Sequence, residues 1–305
     1  MLDSSHEVNL GEIETMNLDA TPFVVAMWAT NLSTVLAVDP RRNEFVRLPL
    51  MHDGSRRVLG LSPDGRQMLI LSGSERRQRC VGLEELATGT HRWLDQAQGG
   101  VYDGVAAMSP DGKIIAVLST QLDPADADAS FAIISLVDVT SGERRRLWRA
   151  TGSWSAETAI GWSPDQQYLA ATYYDTLPGT DEQWITVVVD LDGTERHRIE
   201  FAAMAPPSNE AWLGSHELLY VDNEDWTLTS LSTLEGNRRK QLNPAPGIPI
   251  ARIRDRLVWH HWRTAEEGAG LETTQLDGND VRQLMTVVPG GQIYRVALAS
   301  RLIME

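Results

Sequence analysis

From Phe23 onward the chain alternates short apolar runs with polar turns, and no segment shows the period of a convincing amphipathic helix. The clearest unit is Leu61-Ser62-Pro63-Asp64-Gly65 followed by Met68-Leu69-Ile70-Leu71. It returns as Met108-Ser109-Pro110-Asp111-Gly112 before Ile114-Ile115-Ala116-Val117, and again as Trp162-Ser163-Pro164-Asp165 before Tyr168-Leu169-Ala170. Proline presets φ for the second turn position, and glycine accepts the positive φ that closes a hairpin. A turn recurring roughly every 50 residues inside strand-like sequence is the mark of a repeat architecture.

A second glycine turn follows in each unit: Ala87-Thr88-Gly89, Thr140-Ser141-Gly142, Leu191-Asp192-Gly193, Leu234-Glu235-Gly236 and Leu276-Asp277-Gly278. The first hairpin decays along the chain but can be followed through Trp212–Leu218, Ala251–Val258 and Ala297–Ile303. The pattern predicts an all-β fold: a six-bladed β-propeller of four-stranded antiparallel blades, residues 21–305 forming one domain after a tail or cap at residues 1–20. The last blade is expected to close by pairing a strand-three and strand-four hairpin at Thr34–Leu50 with a strand-one and strand-two hairpin at the C-terminal end. Phe23–Trp28 is a strand without a place in this scheme, which leaves seven blades open.

These turns, with the Val-Asp-type strand Leu136-Val137-Asp138-Val139 before Thr140-Ser141-Gly142, resemble the WD40-like repeats of TolB-type β-propellers. Similar repeats form the propeller domains of prolyl-oligopeptidase-like enzymes. The resemblance covers residues 56 to about 200 well and implies the fold. The N-terminal α/β domain of a TolB has no counterpart here, and neither a Gly-x-Ser-x-Gly elbow nor a Gly-His…Trp-Asp signature is present.

Charge refines the functional expectation. The 305 residues carry a formal net charge of −15. That field repels nucleic acid and anionic membranes and favours a cationic partner. The first residues, Met1–Glu7, carry no signal-peptide pattern, and no apolar run is long enough to cross a membrane, so the chain as written reads as cytoplasmic, or as exported if a signal segment has been trimmed. The single cysteine, Cys80, opens a strand-like run and reads as a small packed thiol.

In a propeller the loops between strands two and three share one face with the loops between blades. Here those loops are acidic in successive repeats: Gln121–Asp128, Asp175–Glu182 and Asp222–Asp225. Loops between blades add Tyr102 and Trp154, with Met204 nearby, and Arg56, Asp103 and Glu157 occupy equivalent positions ahead of the turn serines, where they would ring the channel mouth. The expected function is a non-catalytic, monomeric scaffold that binds a protein or peptide with a basic segment. Its candidate contacts are Arg56, Tyr102, Asp103, Trp154, Glu157, Asp126, Asp128, Asp181 and Glu182. Alternatives are a lactonase- or lyase-like enzyme, or a small-molecule sensor, with its site at the channel mouth. Asp123, Asp126 and Asp128 form a weak calcium candidate, lacking the glycine and terminal glutamate of a calcium loop. No cofactor and no catalytic constellation are read from the spacing. His260 and His261 are adjacent on a strand-like run, so they point to opposite faces and do not both ligate one metal.

Overall fold

The computed structural model describes residues 7–10, 23–29, 32–39, 44–47, 57–72, 80–94, 101–123, 125, 130–153, 158–175, 183–206, 208–222, 227–233, 238–244, 249–253, 255–262, 269–288 and 292–298. The strands in chain order are β1 (Glu7–Leu10), β2 (Phe23–Ala29), β3 (Leu32–Asp39), β4 (Glu44–Arg47), β5 (Arg57–Leu61), β6 (Gln67–Leu71), β7 (Val81–Glu85) and β8 (His91–Trp93). There follow β9 (Val101–Met108), β10 (Ile114–Leu122), β11 (Ser130–Asp138), β12 (Arg144–Thr151), β13 (Ala159–Trp162), β14 (Tyr168–Asp175), β15 (Gln183–Asp190) and β16 (Glu195–Glu200). Then come β17 (Ala202–Met204), β18 (Trp212–Gly214), β19 (Glu217–Asp222), β20 (Thr227–Ser232), β21 (Arg238–Pro244), β22 (Ala251–Ile253), β23 (Arg256–Trp262), β24 (Ala269–Gln275), β25 (Arg282–Val288) and β26 (Gln292–Leu298).

All described pairings are antiparallel, and neighbours in sequence pair in space, as hairpin sequences dictate. The innermost strands touch in succession around an axis: β26 meets β5, β5 meets β9, β9 meets β13, β13 meets β17, and β22 meets β26. The result is a β-propeller.

The strand order corrects the expected blade plan. Five blades, β5–β8, β9–β12, β13–β16, β17–β21 and β22–β25, are built from consecutive strands. The remaining sheet is a composite of β26 with β2, β3 and β4, so the set of six equivalent four-stranded blades is overturned, as is the seven-bladed alternative. Its ends meet as one strand with three, because Phe23–Ala29, the strand without a place, pairs between β26 and β3. Two sheets carry a fifth strand. β1, expected in the tail, runs along β25 from Glu7 opposite Val288 to Leu10 opposite Met285, and β17 and β18 both pair with β19.

The repeated turns explain the hairpins atom by atom. Ser62, Ser109 and Ser163 each donate their hydroxyl to the aspartate two residues on, at 2.6, 2.7 and 2.7 Å. The same oxygens accept the backbone N–H of Gln67, Ile114 and Tyr168, while the aspartates accept that of Arg66, Lys113 and Gln167. Gly65 and Gly112 sit at φ +68° and +75°, and Gln166 holds the same conformation where the third repeat lacks glycine. Second turns reuse the device: Asp138, Asp190 and Asp277 accept backbone N–H groups of the residues that follow them.

Between blades the core is apolar. Leu118, Ile134 and Leu136 of one blade meet Trp162, Leu169, Tyr173 and Val187 of the next. Each such side chain contributes about 1.5–3 kcal/mol on burial, which lets sheets that are marginal alone hold one another.

Candidate functional site

Two ends of the axis are built differently. At the tight-turn end, the innermost strand of the β17–β21 blade is interrupted. The chain leaves the sheet after Met204 and rejoins it at Trp212, forming a 3₁₀ turn at Asn209–Ala211 between them. Asn209 reaches two neighbouring blades at once: its Oδ1 accepts the Trp162 backbone N–H at 2.8 Å, and its Nδ2 donates to the Met108 carbonyl at 2.9 Å. Arg252, on β22, donates Nε to the Glu210 carbonyl and Nη2 to the Trp212 carbonyl, both at 2.7 Å. Burial pulls the Arg252 guanidinium below its ordinary pKa, opposed by the nearby Glu210 carboxylate, which itself accepts the Ser208 hydroxyl. Gly161 admits the excursion: a Cβ there would stand 2.5 Å from the Ser208 carbonyl oxygen. The excursion is thus pinned to β9, β13 and β22 at the turn end. The turn aspartates on this face are engaged by their own hairpins; the Ser109 hydroxyl, against a small burial cost and aided by Lys113, holds Asp111 below the usual carboxylate range.

The opposite, loop end carries the acids the sequence singled out. The second strands of three successive blades end there: β10 at Leu122, directly before Asp123, β14 at Asp175, which is buried, and β19 at Asp222. Asp123 accepts the Ala125 backbone N–H at 2.8 Å. Asp103 does not stand at an open rim. It is fully buried on β9, accepts the Ser119 hydroxyl at 2.8 Å, and pairs with Arg144 at 2.8 Å. The backbone of Tyr102 pairs with Thr120. Arg56, Trp154, Glu157, Asp126, Asp128, Asp181 and Glu182 lie outside the described residues, and so does the Tyr102 side chain. Met204 is buried in the core rather than set among the loops. Cys80 is half-buried.

Of the calcium candidates only Asp123 is described, and among the described residues no three His, Cys, Asp or Glu side chains gather to hold a metal ion. His260 and His261 pair through their backbones with Leu271 and Gly270, and their side chains lie outside the described set. No helix among the described residues is long and apolar enough to cross a membrane.

Sequence reasoning missed an aromatic pair at the loop end of the β13–β16 blade. Tyr174 and Trp184 are cross-strand partners with ring centroids 5.1 Å apart, edge to face. β16 ends at Glu200, opposite Ile185, and Phe201 follows it in a turn at φ +56°. Phe201 is 40% exposed. The signal in the sequence was an aromatic at each strand end beside acids, Tyr174-Asp175 and Glu200-Phe201, hidden because aromatics are equally common in core strands.

No family model matches the chain, and no curated protein matches it. Solved structures do. TolB from Acinetobacter baumannii superposes with a TM-score of 0.63 at 14% identity, over 92% of this chain and 67% of that one. An oligogalacturonate lyase from Vibrio parahaemolyticus gives 0.56 at 10% identity, over 92% and 84%. The tricorn protease gives 0.52 at 10% identity, over 87% of this chain and 30% of that one. The chain therefore has the fold of a TolB-like β-propeller.

Proposed function

We propose that this propeller is a binding module that takes a basic segment of a protein or peptide on its acidic loop face. The observation that carries the reading is the placement of Asp123, Asp175 and Asp222 at the loop ends of second strands in three successive blades. On the opposite face the turn aspartates Asp111, Asp138 and Asp190 are engaged by their own turns. The sequence adds Asp126, Asp128, Asp181, Glu182, Glu224 and Asp225 to the same loops, within a chain of net charge −15. Carboxylates gathered on one face steer a cationic partner toward it.

The test is a titration of cationic peptides into the wild-type protein and into the charge-reversed variant D123K/D126K/D128K. Weaker binding by the variant, with unchanged circular dichroism, supports the reading. Equal affinity for cationic and neutral peptides overturns it. A stoichiometric divalent ion in the purified protein would instead move the assignment toward an enzyme, since one oligogalacturonate lyase of this fold was solved in complex with manganese.

A further inference from the structure

We infer that the outer edge of β25 is a self-association surface for a second copy of this chain, and that β1 is the cover that keeps it closed. The inference is independent of the acidic-face reading. It starts from the outermost strands of the sheets, β4, β8, β12, β16, β21 and β25. Such a strand leaves a row of backbone N–H and C=O groups unpaired, and charges, proline or shortness along it discourage another strand from adding. β4 reads Glu44-Phe45-Val46-Arg47, and β8 is only three residues long with Arg92 at its centre. β12 opens on Arg144-Arg145-Arg146 and is charged again at Arg149, and β16 carries Glu195, Arg196, Arg198 and Glu200. β21 opens on Arg238-Arg239-Lys240 and ends at Pro244.

β25 is built otherwise. After Arg282 it runs Gln283-Leu284-Met285-Thr286-Val287-Val288, without a charge or a proline. High β-propensity without charge is the composition that invites a further strand. This is also the outermost strand that β1 covers, and β1 pairs at Met285, Thr286, Val287 and Val288, within the uncharged stretch. The other five-stranded sheet gains its extra strand on the inner side, at β19. The cover is itself a poor template, because Glu7-Val8-Asn9-Leu10 is four residues long and opens on an acid. A long uncharged edge is thereby replaced by a short acidic one.

The occupant follows from the pairing. β1 is held by four residue pairs, and residues 11–22 join it to β2, with Gly11 directly behind β1 and Pro22 directly before β2. So short a pairing opens more readily than the blade beneath it. Once β1 lifts, the same stretch of a second copy matches the bared edge: two β25 strands pair antiparallel about a two-fold axis, and the uncharged stretch of each lies against that of the other. The outer strands of the other blades would bring charges or a proline to that edge. β1 is therefore an autoinhibitory strand.

The experiment is analytical ultracentrifugation, over a range of concentrations, of the full-length wild type, V8P/N9P, V8P/N9P/T286K and C80S/N9C/T286C. Proline donates nothing to the ladder, and neighbouring residues of a strand point their N–H groups to opposite sides, so V8P/N9P weakens β1 whichever residue faces β25. Asn9 and Thr286 stand directly opposite each other, at a separation that a disulfide spans. Wild type and oxidised C80S/N9C/T286C should stay monomeric, the latter with its introduced cysteines joined within one chain. V8P/N9P should reach about twice the monomer mass at concentrations where wild type does not, and Thr286→Lys should return it to monomer by placing a charge on the bared edge. If V8P/N9P stays monomeric, the inference is overturned. Association that Thr286→Lys leaves intact arises elsewhere and overturns it too. Introduced cysteines that do not join within one chain would show that β1 does not cover the edge, and the inference falls.

Discussion

Trp162 donates its indole N–H to the carbonyl oxygen of Ala107, 3.0 Å away on the innermost strand of the preceding blade. One blade on, Trp212 does the same to Gly161 at 3.2 Å, and Gly161 stands where Ala107 stands relative to its turn serine. Arg252 then takes over, donating to the Trp212 carbonyl. A directional bond thus links each of these innermost strands to the next, beside the apolar packing between blades. Replacing Trp162 by Phe keeps much of the packing but removes the donor. The expected loss is about 2 kcal/mol, from a broken buried hydrogen bond and a small cavity, read as a lower denaturant midpoint.

Asn209 makes a separable prediction. Asn209→Ala removes the acceptor for the Trp162 amide and the donor to Met108 together. Hydrogen exchange at the Trp162 amide should accelerate by more than at the Trp148 amide, which belongs to an outer strand away from the excursion. Uniform acceleration would mean that the bridge contributes only to global stability.

Glycine substitutions distinguish crowding from backbone freedom. Gly161→Ala forces the excursion off its seat, because the new carbon would meet backbone at 2.5 Å, and should cost about 1–3 kcal/mol. Gly60→Ala meets nothing within 4 Å and should be neutral or slightly stabilising. Thermal unfolding of the two variants side by side checks the contrast.

The turn aspartates set an acid limit. Asp111 is held below its ordinary value chiefly by the Ser109 hydroxyl, so its contribution is complete above about pH 4 and is lost as pH falls through the lowered native value. Ser109 is fully buried and also accepts the Ile114 N–H. Ser109→Ala should cost about 1–2 kcal/mol at neutral pH. It should also reduce the drop in unfolding midpoint between pH 6 and pH 3, because less of the wild-type stability there depends on ionised Asp111.

Much of the architecture was legible because Ser-Pro-Asp-Gly turns fix register locally: the hairpins at Ser62, Ser109 and Ser163 follow from residues within five positions of one another. The composite sheet was legible only in part. Whether Phe23–Ala29 or a C-terminal segment supplies its second strand depends on pairing between remote segments, on which local turns are silent. The burial of Asp103 was hidden for the same reason, since its partner Arg144 lies far along the chain, on the outer strand of the blade. The excursion at Asn209 was invisible because its partners are backbone groups, and a backbone carbonyl such as that of Met108 has no residue signature.

The pairing of β26 with β2 also fixes an order of events. Val296 meets Val25, so the ring stays open until nearly the whole described chain has been made. A nascent propeller therefore presents the uncovered edges of β2 and β5 throughout synthesis, and closing so long a loop is the slowest contact to form. A circular permutant cut at a surface turn such as Asp192-Gly193 brings β26 and β2 close in sequence, so the seam closes through a short loop and the variant should refold faster.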